Sequence, residues 1–165
     1  MDLKLKWSLK TFDELTNHEL YEILRLRNEV FVLEQQCVFP DQDNKDQQCH
    51  HLAGRHDGQL MAYARMVPAG LSYPYPSIGR VVVSPAGRGK MYGVALMNKS
   101  IETIHQLYGQ VSIRIGAQLY LKKFYESFGF QQSSEIYDED GIDHLEMTRE
   151  SLWGMVSGNP GQCVE

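Results

Sequence analysis

Apolar and polar positions change their period several times along this chain, and each change marks an element. Near the start, "WSLK" has the short apolar pattern of a strand. Thr16 followed by Glu19 is a capping-box pair. Behind it, Leu20, Ile23, Leu26, Val30 and Leu33 recur at three and four residues. That spacing predicts an amphipathic helix with a break near Arg27 to Phe31. "HLAGRH" ends at Asp57-Gly58, a strong two-residue hairpin signal. "QLMAYARMV" then alternates as a strand, and "SIGRVVV" reads as the next one. Val94, Met97, Ile101, Ile104 and Tyr108 give the clearest helical period in the chain.

"VSIRIGA" follows as a strand. "QLYLKKFYESFG" is a short helix with Gly129 as its stop. "SSEIYDEDGIDHLEMTRE" reads as two strands around a turn at Asp140-Gly141. Antiparallel strands therefore come first, and a strand–helix–strand crossover follows, implying parallel pairing in the middle of the sheet. The fold class is α+β, of the three-layer kind. One domain is expected over residues 1–150, with 151–165 as a loosely ordered tail.

Composition narrows the function. The 165 residues carry a net charge of −5, which argues against a broad nucleic-acid face. No N-terminal apolar leader and no apolar run near a membrane span occurs in the sequence, so cytoplasm is the expected location and no membrane partner is expected. Cys37, Cys49 and Cys163 show no disulfide pattern, and their spacing with His50 and His51 matches no common zinc motif, so no metal is expected.

The chemistry concentrates in "SPAGRGKMYG", Ser84 to Gly93. A strand, a glycine-rich turn and a helix start form an anion site, because the first helical N–H groups lack partners and the helix dipole is positive there. Arg88 and Lys90 add charge of the right sign. A Walker A loop fails, because Ser84 stands at its first glycine and Met91 at its Ser/Thr position. A dinucleotide fold is poorly served, because no acid ends the next strand.

Arg88-Gly89-Lys90-Met91-Tyr92-Gly93 resembles the Q/R-x-x-G-x-G/A pyrophosphate loop of the GNAT acetyltransferases. Met91 stands where that family has its middle glycine. "FYESFGF", Phe124 to Phe130, is similar to the same family's C-terminal helix-to-strand signature. Gln118 stands where the family often has Asn. "LRNEVFVLEQQC", "IGRVVVS", "GAQ" and "DGIDHLEM" are similar to its ElaA-like subgroup.

This resemblance implies a mixed, twisted central sheet of about six to seven strands with helices on both faces. It implies acetyl-CoA as cosubstrate and a primary amine of a small molecule or peptide as acceptor. The CoA arm would lie along Val81, Val82 and Val83, with Val81 and Val83 supplying backbone groups. Arg88, Gly89, Lys90, Met91, Tyr92 and Gly93 would take the pyrophosphate, and Gln118 would join the cofactor set. Tyr125 is the expected general acid toward the CoA thiolate. For the base, Glu34 leads, with His51, His144 and solvent as alternatives. The acidic loop Asp41 to Asp46 either attracts a cationic amine or is a solvated surface loop. A CoA-binding module without turnover is the competing class. Oligomeric state stays open from the residues, although members of the family are often homodimers.

Overall fold

The structure is a computed structural model, and residues 4–152 are described here. Residues 153–165, most of the expected tail, lie outside the described residues. The first sheet takes β1 (Lys6–Thr11), β2 (His50–His56), β3 (Gln59–Val67) and β4 (Ser77–Val83) in that order, all antiparallel. The second takes β5 (Ile113–Gln118), β6 (Gln131–Gln132), β7 (Tyr137–Glu139) and β8 (Ile142–Arg149), with β8 pairing the other three. The helices are α1 (Asn17–Arg27), α2 (Tyr92–Tyr108) and the short α3 (Lys122–Glu126). Among the described residues no helix is long and apolar enough to cross a membrane.

Local chemistry explains these boundaries. Thr16 and Glu19 form the capping box reciprocally, at 3.1 and 2.9 Å. The β2–β3 hairpin turns on Asp57 and Gly58, both at positive φ (49° and 77°), as a type I′ turn requires. At Asp140 and Gly141 the same device joins β7 to β8. β3 is buried from Met61 to Val67, so both of its faces are covered. Tyr63 packs with Val82 against Ile23, Leu26 and Val30 of the α1 side. Ala62, Ala64 and Met66 pack on the opposite face, in a core shared with α2 and with Tyr125 and Phe130.

Two features depart from the periodicity. α1 passes at Asn28 into a π-helical segment running to Glu34. The wider turn rotates the face, so Leu33 is 66% exposed instead of packed. The strand–helix–strand pattern also predicts a parallel pair at the centre of the sheet. There β4 pairs with β3 alone, and the two four-stranded halves are joined across the β4–β5 gap by Arg114 N–H to the Pro76 carbonyl, at 3.1 Å. The gap between the two halves positions the site.

Candidate active site

β4 is bent at the gap. Gly79 faces Arg65 and Val82 faces Tyr63, so β4 carries one extra residue against β3. Within this bulge Arg80 sits at φ 51°, a left-handed conformation that a non-glycine residue adopts only when its surroundings impose it. Further along, Ser84 donates its N–H to the Met61 carbonyl at 2.8 Å. By the alternation of an antiparallel ladder, Val82 also points its backbone groups at β3, and Val83 and Val81 turn theirs toward the gap. Val82 is buried, whereas Val81 and Val83 are half-buried.

At the end of β4 the chain makes a 3₁₀ turn, Pro85–Gly87, and then enters α2 through two left-handed residues, Gly89 (φ 75°) and Met91 (φ 61°). Met91 therefore adopts the conformation that glycine supplies at this position of the motif. It is the N-cap of α2 and provides no side-chain cap, leaving the first amides of the helix free of one. Its side chain is exposed, as are Arg88, Gly89 and Lys90. Tyr92 turns inward instead. A Cβ on Gly87 would come within 2.8 Å of its ring, so glycine is required there. At Gly93 an added Cβ would stand 3.8 Å from Phe124 and 3.9 Å from Val83. The end of β4, the start of α2 and the aromatic pair of α3 thus meet at one corner.

Tyr125 belongs to this corner. Its ring meets Phe124 at 5.3 Å and Phe130 at 6.2 Å, both edge-on, and it is 7% exposed. Burial, with a smaller contribution from Tyr120, pushes its pKa up to about 12. The phenol is protonated at neutral pH, the state a proton donor needs.

Beside this corner the gap widens into a cleft of ≈ 520 Å³, lined by β4 from Ser77 to Val81 and by Gly116, Gln118 and His144 of the second sheet. Gln118 donates to the Gln35 side chain at 3.1 Å, tying the end of β5 to the π-helical segment. Tyr73 and Tyr137 hold their hydroxyls over Gly116, where an added Cβ would lie 2.9 and 3.4 Å from them.

The base candidates differ in burial and in partners. His51 is buried, with Nε2–H donating to the Asp46 carbonyl at 2.9 Å and Nδ1 accepting from the Tyr63 hydroxyl at 2.7 Å. Burial lowers its pKa, and both nitrogens are engaged, so it serves the fold. Glu34 lies at the end of the π-helical segment and pairs with Arg88 at 2.8 Å; its neighbour Gln35 lines the cleft and Glu34 does not. His144 lines the cleft. Its Nδ1–H donates to the Ile142 carbonyl at 2.8 Å, which directs the other nitrogen, Nε2, toward Glu139 at 3.4 Å. Tyr137 stacks on it with centroids 6.0 Å apart.

The aspartates of the loop Asp41 to Asp46 are engaged by the protein rather than free in solvent. They bind three arginines. Arg27 donates to Asp41 (2.7 Å) and Asp46 (2.8 Å), and Arg65 to Asp43 (2.8 Å) and Asp46 (2.9 Å). Arg80 donates to Asp41 at 2.9 Å. The sequence held one signal of this: Arg27 stands four residues after Ile23, on the apolar face of α1. This network anchors the bulged residue Arg80, and so holds the shape of the β4 edge.

A strand with an open edge, running into an uncapped helix N-terminus, suits an extended chain that ends in an anion. Comparison with known proteins gives the family. The family model described as "Acetyltransferase (GNAT) domain" matches residues 16–151. The chain belongs to the GNAT acetyltransferase family. This makes it an acyltransferase, with the fold of the acyl-CoA N-acyltransferases. It is 40% identical to Protein ElaA of Escherichia coli, over 90% of this chain and 98% of that one. The crystal structure of Escherichia coli ElaA superposes with a TM-score of 0.82, covering 88% of this chain and 99% of that one at 39% identity. An acyl-CoA N-acyltransferase from Pseudomonas aeruginosa gives 0.84 with the same coverage and identity. At 14% identity, a GNAT acetyltransferase from Elizabethkingia anophelis with acetyl-CoA bound shares the fold, with a TM-score of 0.58 over 90% of this chain and 99% of that one.

Proposed function

We propose that this GNAT protein transfers the acetyl group of acetyl-CoA to a primary amine of a small molecule or peptide, by direct attack. The observation that carries this reading is the open β4 edge leading into the uncapped start of α2. The pantetheine arm pairs with the outward backbone groups of Val81 and Val83, as an added strand would. The pyrophosphate rests on the first amides of α2, with Arg88 and Lys90 nearby. Gln118 borders the acyl end of this groove. The acceptor amine enters from the cleft. Its nitrogen bonds to the thioester carbon, the carbon–sulfur bond breaks, the amine proton passes to His144 Nε2, and Tyr125 protonates the departing thiolate. His144 is preferred to Glu34 because it lines the cleft, and Glu139, 3.4 Å from its Nε2, would stabilise the imidazolium that forms, whereas Arg88 would hold Glu34 as the carboxylate.

One observation favours the binding-module alternative: Tyr125 packs in the core like an ordinary aromatic. Amine-dependent release of free CoA thiol separates the two readings. The expected result is release with at least one primary amine. Tyr125→Phe should lower turnover about 100-fold and leave acetyl-CoA affinity intact. Tight CoA binding without amine-dependent release would establish the binding module. Unchanged turnover in Tyr125→Phe would remove that residue as the acid.

A further inference from the structure

The cleft has two chemically different walls, and their difference specifies an acceptor. On the first wall stand Arg65, Arg80, Asp43 and Lys45. The two arginines belong to the six-membered network in which three guanidinium groups meet three carboxylates. Those charges cancel, so the network leaves this wall no net charge. Lys45 is outside that balance. Its ammonium donates to the Ser72 hydroxyl at 3.0 Å, a neutral partner, and no carboxylate lies within ion-pair distance of it among the described residues. An ammonium has three donors, and this contact uses one. From the second sheet, the end of β7 contributes Glu139, the turn after it Asp140, and β8 His144 beside Glu139.

From this polarity we infer that the acceptor is a zwitterion, an amine that also carries a carboxylate, as in an amino acid or a peptide with a free carboxyl end. The inference rests on the acetyltransfer reading and deepens it. The acceptor's ammonium approaches the Glu139, Asp140 and His144 wall, where attraction gathers it and His144 takes its proton. Its carboxylate is held by Lys45, assisted by Ser72. A simple alkylamine satisfies only the acidic wall and leaves Lys45 facing no counter-charge. A diamine places a second cation against it. Lys45 is on this account the residue that sets acceptor specificity, separate from the groups that handle the thioester.

The test compares matched acceptors: glycine, β-alanine, 4-aminobutyrate and lysine, each beside its carboxamide. Acetyl transfer is followed by CoA thiol release, and binding of the same compounds to the protein saturated with CoA is followed by calorimetry. At least one carboxylate should exceed its carboxamide about tenfold or more in kcat/KM, since one charge-assisted bond is at stake. Lys45→Gln should bring that ratio near one, and Lys45→Glu should invert it, with circular dichroism confirming that both variants fold. Equal use of acid and amide, a ratio indifferent to both variants, or no binding of any carboxylate would overturn the inference. A Lys45-dependent preference for the carboxylate in calorimetry, without acetyl transfer, would uphold the site and overturn the transfer reading.

Discussion

Two groups of polar residues lie on either side of the β4 edge, and they are built in opposite ways. Behind β4, Arg27, Arg65 and Arg80 are each bound by carboxylates from one short loop, and Arg27 is wholly buried. Beyond the end of β4, Arg88 is half-exposed and held by Glu34 at the surface, the start of α2 has no side-chain cap, and Met91 sits in a left-handed conformation. Both groups contain arginine. What separates them is satisfaction. A buried charge without a partner is costly, so every arginine of the first group has a carboxylate partner, although Arg65 Nε is buried without an acceptor. The second leaves the start of α2 at the protein surface without a side-chain cap. On the proposed function, the network shapes the edge and the loop is the receptive part that uses it.

The comparison is broken most severely at Arg27. Arg27→Met leaves Asp41 and Asp46 buried with one guanidinium fewer. Removing one partner of a buried pair costs ~3–5 kcal/mol, which denaturant unfolding will read directly. The loss should exceed that of any single change in the Arg88–Met91 loop. A loss below about 1 kcal/mol would mean that water, rather than the protein, satisfies these charges.

Acid probes the same network without mutation. Burial works to raise the carboxyl pKa of Asp43 and Asp46. The bonds from Arg65 to Asp43, and from Arg27 and Arg65 to Asp46, outweigh it and hold both below the ordinary range. Depressed carboxylates contribute their full stability above the unfolded value of 3.8 and lose it as pH falls toward the folded values. His51, kept neutral by burial, contributes fully above about 6.5 and declines below it. Stability should therefore fall gently from pH 6.5 to about 4, and steeply below that. Denaturant titrations across this range would show both limbs. A single limb centred above pH 5 would assign the loss to histidine alone.

How far these two regions could be read from sequence follows from the same distinction. The loop was readable because its signal is local: valines, glycines, two cations and a helical period lie within a dozen or so neighbouring positions. Hairpin turns at Asp57-Gly58 and Asp140-Gly141 were readable for the same reason. The network was not. Asp41, Asp43 and Asp46 look like any polar loop until Arg27, Arg65 and Arg80 arrive from three other elements. Glu34 shows the same limit, since its nearness to "DQD" in sequence says nothing about its pairing with Arg88, 54 residues away. Leu33 kept the helical spacing but is exposed, because periodicity assumes an α-helix and the backbone there is π-helical. The crossover pattern likewise implied neighbouring strands. The bulge at Arg80, which long-range ion pairs hold, lies on the strand that borders the gap.

On the receptive side, strain can be removed at one residue. A left-handed non-glycine residue costs about 1–2 kcal/mol, and glycine gives back part of that through the freedom it adds to the unfolded chain. Met91→Gly should therefore raise unfolding stability by about 0.5–1 kcal/mol. The exposed side chain makes no core contact to lose. A drop in stability would show that Met91 packs against the loop in a way its exposure conceals.

The smallest effect is expected at Glu34, and it sharpens the comparison most. Its ion pair with Arg88 is nearly half-exposed on both sides, so Glu34→Gln should change stability by less than about 0.5 kcal/mol. Arg88, released from its carboxylate, should bind CoA at least as well as before, because Glu34 and the pyrophosphate compete for one guanidinium. Turnover should also hold, since His144 rather than Glu34 faces the cleft. Calorimetry with CoA and steady-state thiol release on the same variant read these two consequences apart. Turnover that collapses while CoA affinity holds would return Glu34 to the role of base. Weakened CoA binding would instead show that Glu34 positions Arg88 for the pyrophosphate, making the receptive loop more preorganised than its exposure suggests.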